Sequence, residues 1–257
     1  MKVTLHPGFH KTGTSGVQAV LRANRRRIAP LAGVLLLRDL GPAVAASTAY
    51  ATTRDPADLV RFQAAFAAGL AAHRERPALI ISCEGLCGRT PGKRGISDYS
   101  AALPLCKAMA QALEDVISPS LVLTFAFTTR AAQPWLSSAW RHNLAGYRVT
   151  EDFAEWAALY GHAAQFDTIL QQVQHALPAH RVISLPLEQA LDDVLGPAGP
   201  VLRLAGFPVR RLARFAPVGR VNTGPSAAQA TELLRLNRLG LTDGDLRAAK
   251  RAYLAQA

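Results

Sequence analysis

Four stretches of this chain are apolar almost without a break and are bounded by turn residues or charges: GVLLL from Gly33, ALIIS from Ala78, LVLTFAF from Leu121 and RVISL from Arg181. Runs of that kind predict strands covered on both faces, and a shorter alternating run, KVTLH from Lys2, predicts another. Between them the apolar positions fall at helical spacing. Residues 14–28 carry Val17, Val20, Leu21 and Ile28 on one side, and residues 55–73, 100–116, 133–144 and 162–177 repeat the pattern. Strand and helix alternate, which predicts an α/β fold with a central parallel sheet and right-handed crossovers. Residues 226–257 read as two helices split by LGLTDGD. Residues 41–55 and 89–99 read as long connections that could wall a cleft. There is no repeat, no flexible linker and no low-complexity tract, so residues 1–257 are expected to form one domain.

Composition narrows the partners. With 257 residues, 49% of them hydrophobic, the chain can bury one substantial core. Its 29 Lys and Arg against 18 Asp and Glu give a formal net charge of +11, a field that attracts nucleotides, sulfated or phosphorylated molecules, or nucleic acid. The three cysteines, Cys83, Cys87 and Cys106, match neither a zinc motif nor a disulfide framework and read as buried or free thiols. No apolar run is long enough to span a membrane and no secretory segment precedes the first strand, so a cytoplasmic chain without a membrane anchor is expected.

The candidate chemistry begins at the first strand-to-helix turn, GFHKTGTSGVQ from Gly8. A nucleoside-triphosphatase loop would need glycines where His10 and Leu5 stand, and the central strand supplies no acidic residue for Mg²⁺. A serine-hydrolase elbow would need glycine where Val17 stands. What the turn does hold is a lysine, Lys11, followed by Thr12, Gly13, Thr14 and Ser15 at a helix N-terminus. That set can grip a phosphate or phosphosulfate without a metal ion.

A second basic motif follows the strand at Leu121. FTTRAAQPWLSSAW puts Arg130 at the strand end, Ser138 eight residues on, and Trp140 two beyond that. In this order on these elements, the two motifs resemble sulfotransferases that use 3'-phosphoadenosine 5'-phosphosulfate (PAPS), in particular the bacterial and heparan-type members. The resemblance runs from Val3 to about Asn237, with the positions between the motifs matched by element type only. It implies a three-layer α/β/α fold of the P-loop type and transfer of a sulfuryl group to a hydroxyl or amine, on a carbohydrate or polar small molecule. It further implies that Lys11, Thr12, Gly13, Thr14 and Ser15 hold the 5'-phosphosulfate, and that Arg130 and Ser138 hold the 3'-phosphate. Ser137 competes with Ser138, since neighbours on a helix point about 100° apart and only one can face the cofactor. No metal ion and no nucleic-acid partner are expected.

In the resembling enzymes a glutamate in a Ser-x-Glu context removes the acceptor proton, and SCEG here makes Glu84 the candidate base, with Lys11 the catalytic cation. A pKa raised by partial burial would suit Glu84 to that task. Pairing with Arg89 or capping its own turn is the plainer role. His10 is expected to support the loop, and His142 to pack or face solvent. The chain departs from the family at Gly16, where a hydroxyl residue is common, and lacks the Arg-Asp-Pro of cytosolic members. Arg220, in GRVNTGPS, could add a contact to the 3'-phosphate. Arg25 to Arg27 read as a solvated helix end, where cations complement the dipole. Two other readings fit the same residues: a nucleotide or small-molecule kinase or other NTPase, and a non-catalytic basic module that binds nucleotide or nucleic acid.

Overall fold

The computed structural model describes residues 1–93, 95–219 and 224–256. Five strands, β1 (Lys2–His6), β2 (Gly33–Leu35), β3 (Ala78–Ser82), β4 (Val122–Thr129) and β5 (Arg181–Pro186), form one sheet in the order β2-β3-β1-β4-β5. All neighbouring pairs are parallel, with His6 opposite Ser82 and Leu5 opposite Phe125. Each apolar run of the sequence is a strand. The consequence for function is geometric: every strand delivers its carboxyl end to the same edge, and β1 stands between β3 and β4.

Twelve helices follow in chain order: α1 (Thr14–Ala23), α2 (Arg25–Ile28), α3 (Gly41–Thr53), α4 (Pro56–Leu70), α5 (Ala102–Val116) and α6 (Ala132–Gly146), then α7 (Phe153–Tyr160), α8 (Phe166–Ala176), α9 (Ala198–Leu204), α10 (Val209–Leu212), α11 (Ala227–Arg238) and α12 (Asp243–Gln256). Alternating strand residues send their side chains to opposite faces. Val3, Leu5, Leu79 and Ile81 pack with Phe62, Phe66, Leu105 and Trp135 in one core, while Val34 and Ile80 pack with Val17, Leu21, Val201 and Leu202 in another. Apolar side chains cover both faces, an α/β arrangement compatible with three layers.

Two predicted elements differ. The helix expected over 14–28 breaks at Asn24, whose amide donates to the carbonyls of Val20 and Ala216 and accepts from the Ala216 amide at 2.8 Å. Residues 41–55, expected as a connection, contain α3. Pro42 suits its first turn, and an alanine-rich run with no polar stripe hides a helix from a periodicity test. Val44 and Ser47 of α3 back the turn after β3, Ser47 donating its hydroxyl to the carbonyl of Gly85.

At the far end of α6, Lys250 of α12 is buried and donates to the carbonyls of Leu144, at 2.6 Å, and Tyr147, at 2.8 Å. Burial lowers the pKa of this ammonium to about 8. All three cysteines are free and buried. Among the described residues no helix is long and apolar enough to cross a membrane, and no group of His, Cys, Asp or Glu could hold a metal ion.

Candidate active site

His6 ends β1 and ties three strand ends together. Its Nδ1 lies 2.8 Å from the Ser82 hydroxyl on β3 and its Nε2 lies 3.1 Å from the Thr128 hydroxyl on β4. Burial lowers its pKa to about 4, so the ring is neutral and its two nitrogens serve as one donor and one acceptor.

The loop that follows, residues 7–13, turns through three left-handed positions: Gly8 (φ 61°), Lys11 (φ 65°) and Gly13 (φ 98°). A lysine in that region is uncommon and persists only where neighbours fix the backbone. They do so here at nearly every residue. The Tyr99 hydroxyl accepts from the His10 amide at 3.1 Å, the Trp135 indole donates to the His10 carbonyl at 2.8 Å, and Arg130 Nη1 donates to the Lys11 carbonyl at 3.3 Å. Phe9 stacks on Phe127 and Phe166, with centroids 5.1 and 4.7 Å away.

Thr12 and Thr14 are both buried. The Thr12 hydroxyl donates to the Phe9 carbonyl at 2.6 Å and lies 2.9 Å from the Thr128 hydroxyl, while that of Thr14 is 3.4 Å from the Phe9 carbonyl. Their side chains fasten the loop, which leaves backbone N–H groups as their means of holding a ligand. Ser15 is half-buried in the first turn of α1. Gly13 opens that helix without a side-chain cap, and a Cβ there would stand 2.9 Å from the side chain of Leu187. Glycine is thus favoured by φ, and an added Cβ would have to displace the end of the Leu187 side chain.

Lys11 and Arg130 occupy the ends of adjacent strands. Both are half-buried, both have pKa values lowered first by burial, and among the described residues neither forms an ion pair. Arg130 is opposed only at longer range by Glu188, whose carboxylate accepts from the Ala131 amide at 3.0 Å. On α6, Trp135, Ser138 and His142 follow at intervals of three and four residues and so share one stripe. Since Trp135 bonds the His10 carbonyl, that stripe faces the loop, and Ser138 rather than Ser137 lies on it.

On the other side of β1, the turn after β3 presents Glu84 in a short 3₁₀ helix, Glu84–Cys87. Burial raises its pKa, opposed by Lys11 and Lys93. Among the described residues Glu84 forms no ion pair, so the alternative role of pairing with Arg89 is not taken. His10 is neutral, its pKa lowered to about 3 first by burial and then by Lys93, His142, Lys11 and Arg89. A group that weakly basic is a poor proton acceptor next to a carboxylate whose pKa has risen.

Residues 89–99 bring what sequence reading missed. A tight turn, in which the Gly92 amide bonds the Ile96 carbonyl at 2.8 Å, points Lys93 back toward Lys11 and Glu84. Lys93 Nζ donates to His142 Nε2 at 2.9 Å and sits 5.2 Å from the Tyr147 ring centroid. Arg89 Nη2 lies 3.4 Å from the Tyr147 hydroxyl. Burial, then Lys11 and Arg89, lower the Lys93 pKa to about 8, and burial with Lys11 and Lys93 lowers that of His142 to about 3. His142, expected to pack or face solvent, is instead a partner of this lysine. The signal available beforehand was the basic, glycine-containing RTPGKRG.

The groups gather at one edge: Arg130 at the end of β4, Lys11 after β1 and Glu84 after β3, with Lys93 and Arg89 approaching from residues 89–99 and from the side of His142. Arg220 lies outside the described residues. Of two cavities elsewhere, one is lined by Ala176–His180 residues at the amino end of β5, away from this edge, and the other by Thr150, Glu155 and Arg238. In comparisons with protein-family models, curated proteins and solved structures, nothing matches this chain.

Proposed function

We propose that this chain is a sulfotransferase that moves a sulfuryl group from PAPS to a hydroxyl or amine, on the P-loop-like fold of that class. One observation carries the reading. Lys11 and Arg130 stand on neighbouring strand ends joined by the hydrogen bond from Arg130 to the Lys11 carbonyl. PAPS bears its anionic groups at two ends, and two cations held a strand apart without ion-pair partners suit such a molecule. The pinned loop, with a helix N-terminus behind it, adds backbone donors to the Lys11 end.

The residues that would hold the nucleotide are Lys11, Thr12, Gly13, Thr14 and Ser15 at the 5' end and Arg130 with Ser138 at the 3' end. When bound, PAPS supplies the sulfuryl group and leaves as adenosine 3',5'-bisphosphate. Glu84 accepts the acceptor's proton on a carboxylate oxygen as the new bond to sulfur forms. The raised pKa of Glu84 brings it nearer the working pH of a general base. Lys11 stabilises the negative charge that grows on the 5'-phosphate oxygen as its bond to sulfur breaks. The neutral His10 contributes its backbone to the loop, through Tyr99 and Trp135.

The test is a pair of thermal melts. Adenosine 3',5'-bisphosphate at about 100 times its Kd adds about 2.7 kcal/mol to the native state, and the melting temperature rises accordingly. ATP with Mg²⁺ is expected to shift it much less, and Lys11→Ala to remove most of the bisphosphate effect. Equal shifts, or a larger one from ATP, would favour an NTPase or kinase.

A further inference from the structure

The donor nucleotide accounts for the cations on the β1 and β4 side of Glu84. It does not account for Arg89 and Lys93. Arg89 and Lys93 lie on the chain segment that leaves β3, and their contacts are with His142 and Tyr147, on and just past the distal half of α6. Arg130, by contrast, precedes the first turn of the same helix. Among the described residues, neither Arg89 nor Lys93 forms an ion pair, and Glu84 is the one carboxylate whose charge Lys93 feels. Two further half-buried cations without an ion pair are costly unless a ligand supplies negative charge.

Building on the sulfotransferase reading, we propose that Arg89 and Lys93, positioned by Tyr147 and His142, form an acceptor subsite for an anionic oxygen group. The molecule sulfated here then carries a carboxylate, sulfate or phosphate close to the hydroxyl or amine that reacts. The Lys93 ammonium now rests on the imidazole of His142, a neutral acceptor that an anion outcompetes. The Tyr147 ring beneath Lys93 and its hydroxyl beside Arg89 keep both side chains on one wall. The anion fixes the acceptor by a group that does not react, and so turns its nucleophile toward Glu84.

The experiment uses the whole chain saturated with adenosine 3',5'-bisphosphate, whose own affinity is measured first. Glucuronate, as a carboxylate probe, and inorganic sulfate, as a tetrahedral one, are then titrated, with glucose as the neutral control. The expected result is binding of at least one anion and a loss of about tenfold in its affinity in both Lys93→Gln and Arg89→Gln, with bisphosphate affinity unchanged. Which anion binds more tightly assigns the acceptor's group. If neither anion binds the saturated protein, or if the two variants bind it as wild type does, the subsite is refuted while the sulfotransferase reading stands. A matching loss of bisphosphate affinity would also refute it, by assigning the two cations to the nucleotide. If the bisphosphate itself fails to bind, the parent reading fails and the acceptor subsite with it.

Discussion

Two irregular segments meet at the carboxyl edge of the sheet, and they present their polar groups differently. Residues 7–13 are fixed from within and below, by left-handed turns at Gly8, Lys11 and Gly13 and by bonds to their backbone from Tyr99, Trp135 and Arg130. Residues 89–99 also turn at left-handed glycines, Gly92 and Gly95, and their backbone is bonded from Gly92 to Ile96 and from Asn143 to the Pro91 carbonyl. What sets them apart is that their charged side chains are held as well, Lys93 by His142 and Tyr147 and Arg89 by Tyr147. A pinned backbone suits a ligand gripped by main-chain donors, whose positions must not vary. A segment that presents cations on held side chains would suit the recognition of a variable acceptor. On the proposed function, the difference assigns common chemistry to one half of the edge and selection to the other.

The largest effect that could break this division is at the residue between the two segments. Glu84→Gln is expected to lower the transfer rate by about 10²–10⁴-fold, the usual worth of a general base, with nucleotide affinity unchanged by calorimetry. Full turnover in that variant would remove Glu84 from the chemistry and leave the two segments without a shared centre. Next in size is a test of the pinned backbone. Gly13→Ala places a Cβ against Leu187 at a φ of 98°, and chemical denaturation is expected to register a loss of about 1–3 kcal/mol. A comparable change at Gly95, where a Cβ would meet nothing within 4 Å although φ is 80°, should cost less.

A smaller effect sharpens the contrast through pH. His10 of one segment and His142 beside the other both have folded pKa values of about 3 against an ordinary 6.5, and His6 about 4. In that window the unfolded chain binds more protons, so the stability these residues contribute is complete above pH 6.5 and is lost as pH falls toward 3. The melting temperature should therefore drop between pH 7 and 4, and His142→Gln should flatten the slope. The smallest effect concerns Ser138. Ser138→Ala is expected to weaken adenosine 3',5'-bisphosphate by about fivefold to tenfold, the net worth of one ordinary hydrogen bond, and Ser137→Ala not to change it.

Much of this was legible in the sequence, for a physical reason. Four of the five strands are largely buried on both faces and so announce themselves as apolar runs, the edge strand β5 is apolar though only half-covered, and a phosphate-type loop is contiguous in the chain. An anion-binding role for Lys11 followed from the loop, and the role of Arg130 from the resemblance of its motif to that of PAPS-dependent sulfotransferases. Helix α3 was not legible because alanine fills it on all sides, leaving no polar stripe to give a period. Lys93 was not legible as a site residue because its partner His142 is 49 positions away and the pair exists only after folding. The burial of the Thr12 hydroxyl was hidden too. In sequence it reads as a ligand donor, and in the fold its bond to Thr128 crosses 116 positions.

The buried ammonium of Lys250 has a temporal meaning. It holds the carbonyl of Tyr147 from 103 positions further along the chain, so a ribosome must make that whole stretch before the tyrosine beneath Lys93 is secured. The loop of residues 7–13 closes on contacts that include Phe166 and Leu187, which still emerge earlier in synthesis. On the proposed function, a nascent chain would therefore pass through a stage able to grip a donor while the wall that chooses its recipient is still loose.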